Sequence, residues 1–370
     1  MSDRKQRDSY IDILKAIGII SIVFGHCARW ENAVFAYLYH IMIFFFVAGC
    51  CISETHIKTP EKYIGRTILK NGYLLVFYNA LFAILHNVFI KLNILAGTEY
   101  GLGDIVRAIL GGIAFNYSEL FLGAFWFIPM YLVAVILFVI TLHTCDKATS
   151  AVLSSQTEHP WSDRIKTAFE VMACCIYLLL ALALNTKSIQ LNYHMQTSFL
   201  AIPVLFAGYY YKKHKNTLER FVSIYGIVPA FLILVGILKL NIGIIELSVD
   251  SIINIWLFYP TTLVGIYFCM ALGKLLNKWK ISSNLFAVVG KYSFHIMALH
   301  FLCFKMVDLV LHKIYNIEDV HILSGYPTSG FPVRWIYLLL GVFLPVVVIQ
   351  SIRWVLKTVK NKVLAVCKNP

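Results

Sequence analysis

A membrane-crossing helix needs about 20 consecutive, mainly apolar residues. This chain offers about ten such runs, near 10–29, 33–53, 71–91, 120–142, 168–185, 196–211, 221–240, 253–273, 286–311 and 334–356, each bounded by charged or turn residues. Lipid offers no partner for backbone N–H and C=O groups, so runs of this length must be helices that satisfy their own backbones. The expected fold is therefore all-α, a polytopic transmembrane helix bundle forming one integral-membrane domain over residues 1–370. The stretch 104–115 is apolar but too short to cross alone and reads as a re-entrant or interfacial piece. Composition agrees: 59% of the residues are hydrophobic and only 14% charged, against roughly a quarter charged in soluble domains. Neither a soluble nor a disordered chain fits.

The formal net charge is +13, yet the cations form no single patch of the kind that neutralises nucleic-acid phosphates. They recur in short clusters between apolar runs, as in loops that retain positive charge in the cytoplasm. With the N-terminus (Arg4, Lys5, Arg7) inside, alternate loops receive Lys58/Lys62/Arg66/Lys70, Lys147/Arg164/Lys166, Lys212/Lys213/Lys215/Arg220 and Lys274/Lys278/Lys280, and the tail adds Lys357, Lys360, Lys362 and Lys368. That places 21 of the 32 Lys and Arg inside, seven outside (Arg29 and Arg107 among them) and four within spans. An even number of crossings with both termini cytoplasmic follows. Trp30, Trp256, Trp335 and Trp354 fall at span ends, as in an aromatic belt.

The basic N-terminus followed by an apolar run also has the outline of a signal peptide. Asp12 and Lys15 interrupt the run and no A-x-A-like site follows, so the first span is expected to be retained. Nine cysteines include no C-x-x-C; Cys27, Cys50, Cys174, Cys175, Cys269 and Cys303 lie in apolar runs as small hydrophobes, and no metal is expected. No internal repeat or low-complexity tract is evident, and the polar segment 143–166 is the largest cytoplasmic insertion.

Ionisable groups inside a span are costly and usually face a protein interior or a water-filled cavity. The first span, RDSYIDILKAIGIISIVFGHC, contains Asp12, Lys15 and His26. Eleven residues at 100° each make three turns plus about 20°, so Lys15 and His26 share one helix face about 16 Å apart. Asp12 lies one turn below Lys15. Gly18, Ser21 and Gly25 form a small-residue strip on which another helix can pack closely. Read alone, Lys15 could equally snorkel to the headgroups with His26 at the opposite interface.

The segment resembles the first helix of the bacterial membrane acyltransferase-3 family, integral-membrane O-acyltransferases whose motif runs approximately I-D-x-L-R-G, an apolar stretch, then G-H. Ile11, Asp12, Leu14, Lys15, Gly25 and His26 match in order and spacing. HIMIFFFVAGC resembles the family's H-x-P-L-F-F-F-L-S-G segment through His40, Phe44, Phe45, Phe46 and Gly49, with Met42 in place of proline and Ala48 in place of serine. Trp126 and Phe127 resemble a W-F-L element, and Gly290, Ser293 and His300 a late G-x-x-S…H element.

The resemblance implies a multi-pass enzyme of the bacterial cytoplasmic membrane. It would move an acyl group from acyl-CoA to a hydroxyl of a cell-surface polysaccharide or lipid-linked glycan. Acetyl-CoA is the expected donor, with succinyl open. The histidine matching His26 is catalytic in the family, as base or acyl carrier; histidine titrates in the range such a base needs. Lys15 and Asp12 would organise the donor end. Arg66 and Lys70 stand where the family carries an R-x-x-R-like motif linked to CoA phosphates, although their spacing differs and Gly72 replaces a frequent proline. His40, Trp126, Ser293 and His300 would support the site or the acceptor, and His300 could approach His26 from a late span.

His295, on roughly the opposite face from His300, reads as a hydrogen bond to a neighbouring helix or an interfacial group. Nothing singles out His86, His194, His312 or His321. Glu119, Glu246 and Asp250 fall near the outer surface, where they could contact an acceptor, but read rather as solvated-loop residues. Haem would need paired histidines in a supportive context, which the sequence lacks. A transporter or flippase of a lipid-linked sugar is the main alternative, although the two related halves common in transporters are not found. A homo-oligomer is left open.

Overall fold

The computed structural model describes residues 8–27, 30–115, 119–153, 160–191, 195–240, 245–247, 251–252, 254–316, 327 and 333–368. Arg29, His194, Asp250 and His321 lie outside them. In chain order the helices are α1 (Ser9–Cys27), α2 (Trp30–Tyr37), α3 (Met42–Cys51), α4 (Glu54–Lys58), α5 (Pro60–Lys91), α6 (Leu102–Ile113), α7 (Phe127–Val152), α8 (Ser162–Thr186), α9 (Met195–Lys213), α10 (Lys215–Leu218), α11 (Ile227–Lys239), α12 (Ile255–Asn277), α13 (Lys280–Lys291), α14 (Ser293–Tyr315) and α15 (Arg334–Lys368). A 3-10 segment, Leu120–Trp126, leads into α7. Among the described residues the sheet structure is one antiparallel pair, Ile245–Glu246 with Ser251–Ile252.

The all-α membrane bundle is as expected. Among the described residues eight helices are long and apolar enough to cross a bilayer, or nine when the bent pair Lys215–Phe221 and Ile224–Lys239, angled at 55°, counts as one span. The difference from ten lies at 196–211. There α9 forms over 19 residues, but Gln196, Thr197 and Ser198 are buried inside the bundle. A helix enclosed by protein needs no lipid-matching hydropathy. Conversely, α8 exposes Val171, Met172, Ile176 and Leu179 along its length, as a lipid-facing helix must.

Three other expectations change. The run 286–311 is not one helix: it divides at Tyr292, and the short amphipathic α13 lies against α1. The run 33–53 divides at residues 38–41 without a proline; the His40 Nδ1–H and backbone N–H both donate to the Ala36 carbonyl at 2.9 Å and so replace the interrupted ladder. The helices expected to end at 142 and begin at 168 extend into the polar segment 143–166, since α7 continues to Val152 and α8 begins at Ser162. The 104–115 stretch forms α6, 12 residues with Leu102, Val106, Leu110 and Ile113 exposed along one stripe and Ala108 and Gly112 buried.

α1 sits between two apolar cores. Ile13, Leu14 and Ile17 join a cluster built largely by α3, α7, α9 and α12. Ala16, Ile19, Ile22 and Val23 join a second one containing α5, α14 and α15 residues. Its small-residue strip packs as expected: a Cβ on Gly18 would meet Ile43 and Phe44 at 2.7 and 2.8 Å, one on Gly25 would meet Tyr37 at 3.0 Å, and Ser21 Oγ and Tyr39 Oη share a hydrogen bond of 3.2 Å. On the neighbouring side, a Cβ on Gly290 would overlap the Asp12 carbonyl oxygen, so α13 touches α1 backbone to backbone.

Candidate active site

The helix period puts Lys15, Ile19, Ile22 and His26 on one stripe of α1, and that stripe runs past two cavities. Lys15, Ile19 and Ile22 line the larger, of about 510 Å³. Ile22 and His26 line the smaller, of about 150 Å³. Ile22, Phe127 and Met297 belong to both linings and form the partition between them. The helix face that Lys15 and His26 share is therefore also the axis of the site.

His26 meets His300 across this stripe. Their rings lie edge to edge with planes 10° apart, and His26 Nδ1 is 2.9 Å from His300 Nε2. His300 is fully buried, and its Nδ1 is 3.1 Å from the Ile296 carbonyl one turn below. A carbonyl only accepts, so for neutral rings His300 carries its proton on Nδ1 and accepts at Nε2. His26 must then donate from Nδ1. The basic lone pair of His26 thereby resides on Nε2. Phe301 packs against both imidazoles, at centroid distances of 4.8 and 4.2 Å.

The larger cavity is cationic. Lys15, Arg66, Lys70, Lys291 and Arg353 line it from four helices, together with Ser293, His295, Tyr63, Asn71 and Cys51. Lys15 Nζ is held 3.7 Å from the buried Asp12 carboxylate, one turn away. Arg353 lies 4.9 Å over the Tyr292 ring and donates at 3.3 Å to both Tyr292 Oη and His295 Nε2. With its Nε2 accepting, a neutral His295 donates from Nδ1 to Tyr78 Oη at 2.7 Å. The smaller cavity presents His26, His40, Tyr37, Trp126 and Glu246.

Every sequence-predicted site residue lies at this locus. Arg66, Lys70 and Ser293 join Lys15 at the larger cavity; His40 and Trp126 join His26 at the smaller; Asp12 holds Lys15 and His300 holds His26. Lys291, Arg353 and Tyr78 were not legible as part of it. A signal existed for two of them: Lys15, Lys291, Lys305 and Arg353 are the four cations that the loop count leaves inside spans. His295 does bond to neighbouring helices, as expected, but it also lines the larger cavity.

Glu119 departs from the solvated reading. It is buried and lies 3.0 Å from His86 Nδ1, and the His86 ring stacks on Tyr100 at 3.4 Å. Glu246 lines the smaller cavity. Lys305 and Asp308 are an unforeseen pair, fully buried 2.7 Å apart, with the Tyr337 hydroxyl donating to the same carboxylate.

The acyltransferase-3 family, described as an Acyltransferase domain, matches residues 8–353, nearly the whole chain. Neither a curated protein nor a solved structure matches this chain. The matched stretch contains both cavities, the histidine pair and all of α1. With its apolar helices forming a multi-pass bundle, the chain belongs to the acyltransferase-3 family and is a membrane acyltransferase.

Proposed function

We propose that the protein transfers an acetyl group from acetyl-CoA, bound from the cytoplasm, to a hydroxyl of a cell-surface or lipid-linked carbohydrate. The observation that carries this reading is the histidine pair at the small cavity, across a thin partition from one lined by five cations. CoA carries a diphosphate and a 3′-phosphate. Lys15, Arg66 and Lys70, with Lys291 and Arg353, supply the charge such a group requires. The roughly 16 Å along α1 from Lys15 to His26 is comparable to an extended pantetheine arm.

In the reaction the acceptor hydroxyl gives its proton to His26 Nε2 as its oxygen attacks the thioester carbonyl. The C–S bond then breaks, and the CoA thiolate takes that proton back. His300 holds His26 in the required tautomer and shares the positive charge while the proton is in transit. No net proton is consumed. His40, Tyr37, Trp126 and Glu246 offer hydrogen bonds and an aromatic face to a sugar on the acceptor side.

Mass spectrometry of surface glycans from wild-type, deletion and His26→Ala cells tests the reading. An acetyl-sized mass loss in both mutants is expected. Loss of the whole glycan in the deletion strain would instead indicate export or assembly, and unaltered glycan masses would refute the acceptor assignment.

A further inference from the structure

Resting on that reading, we infer that Ile22, Phe127 and Met297 select the acyl group, admitting short uncharged acyls and excluding long or carboxylate-bearing ones. These side chains come from α1, α7 and α14, and each lines both cavities. His26 lines only the smaller cavity and Lys15 only the larger. A donor held by cations on one side must therefore present its thioester carbonyl to His26 through the gap that these three residues bound.

Size follows from what lies beyond the gap. The far cavity measures about 150 Å³ and must hold the acceptor's hydroxyl-bearing carbons as well as the acyl group. Trp126 and Phe301 also line it, while Phe127 packs against Phe44, Phe45 and Tyr131 at centroid distances of 5.6 to 5.9 Å. Phe127 therefore cannot swing aside without disturbing three other rings. Met297 is the adaptable member, an unbranched side chain with three rotatable bonds. Charge follows from chemistry, since a succinyl carboxylate would have to shed its water among an isoleucine, a phenylalanine and a methionine.

The experiment uses the full-length protein in proteoliposomes, with release of CoA thiol from acetyl-, propionyl-, butyryl-, octanoyl- and succinyl-CoA as readout and water as acceptor. Acetyl and propionyl esters are expected to turn over at least tenfold faster than octanoyl and succinyl esters. Met297→Ala is expected to raise the butyryl-to-acetyl ratio at least fivefold, and Met297→Phe to lower the propionyl-to-acetyl ratio. Ratios are immune to a folding defect, which slows all esters alike. Equal rates for acetyl and octanoyl esters in the wild type, or ratios unmoved in both variants, would overturn the selection while leaving the acyltransferase reading intact. Failure of all five esters to bind or react would bring down the donor assignment itself, and the selection with it.

Discussion

His300 sets the tautomer of His26, and it can do so because its own Nδ1 is committed to the Ile296 carbonyl. Removing it lets the His26 ring take either tautomer. His26→Ala is expected to cost about 10²- to 10⁴-fold in kcat, the usual contribution of a general base. His300→Ala should lower kcat with little change in the KM for acyl-CoA and should displace the pH profile, which a merely structural residue would not do. At the other end of the stripe, Lys15→Ala loses a charge-assisted contact of about 1.5–3 kcal/mol, read as weaker acyl-CoA binding by calorimetry with kcat much less affected. Unchanged acyl-CoA binding in the Lys15→Ala protein would contradict its role. Both residues were legible in the sequence, because a fixed helical period converts spacing into a shared face. Arg353 showed only as a cation inside a span and Tyr78 not at all: they meet at His295 through helix packing between distant parts of the chain, and no local rule encodes that.

At the scale of elements, α1 works because its neighbours approach without side chains between them. A Cβ on Gly290 would overlap the Asp12 carbonyl, whereas one on Gly65 would meet nothing within 4 Å. Gly290→Val is thus expected to destabilise the protein by about 1–3 kcal/mol, the usual range for overpacking, and to weaken acyl-CoA binding by shifting Asp12 and Lys15. Gly65→Ala should leave thermal stability in detergent unchanged or slightly raised. The Lys305–Asp308 pair of α14, which the Tyr337 hydroxyl of α15 joins, makes a second element-scale prediction. Asp308→Ala strands a buried ammonium and should cost about 3–5 kcal/mol, while the double change Lys305→Met/Asp308→Leu should recover most of it. Hydropathy located the elements well where helices face lipid. It located α9 as well, whose polar N-terminal turn is buried in protein, but failed at Tyr292, where a continuous apolar run conceals a break.

On the scale of the whole molecule, α1 runs between two apolar cores and its stripe borders two cavities that adjoin inside the bundle. If the larger cavity opens to the cytoplasm, as the loop charges imply, Cys51 reports it: this residue is exposed and lines that cavity. With Cys51 as the sole cysteine, a membrane-impermeant maleimide is expected to label the protein from the cytoplasmic face, and saturating CoA to slow the labelling. Labelling from the opposite face alone would invert the topology. The most direct test of the central claim is acetyl transfer in sealed inside-out vesicles carrying the acceptor glycan and given radiolabelled acetyl-CoA from outside. The account predicts label on the glycan with the wild-type protein, none above background with His26→Ala, and a strongly reduced rate with His300→Ala. Undiminished transfer by the His26→Ala protein would contradict it.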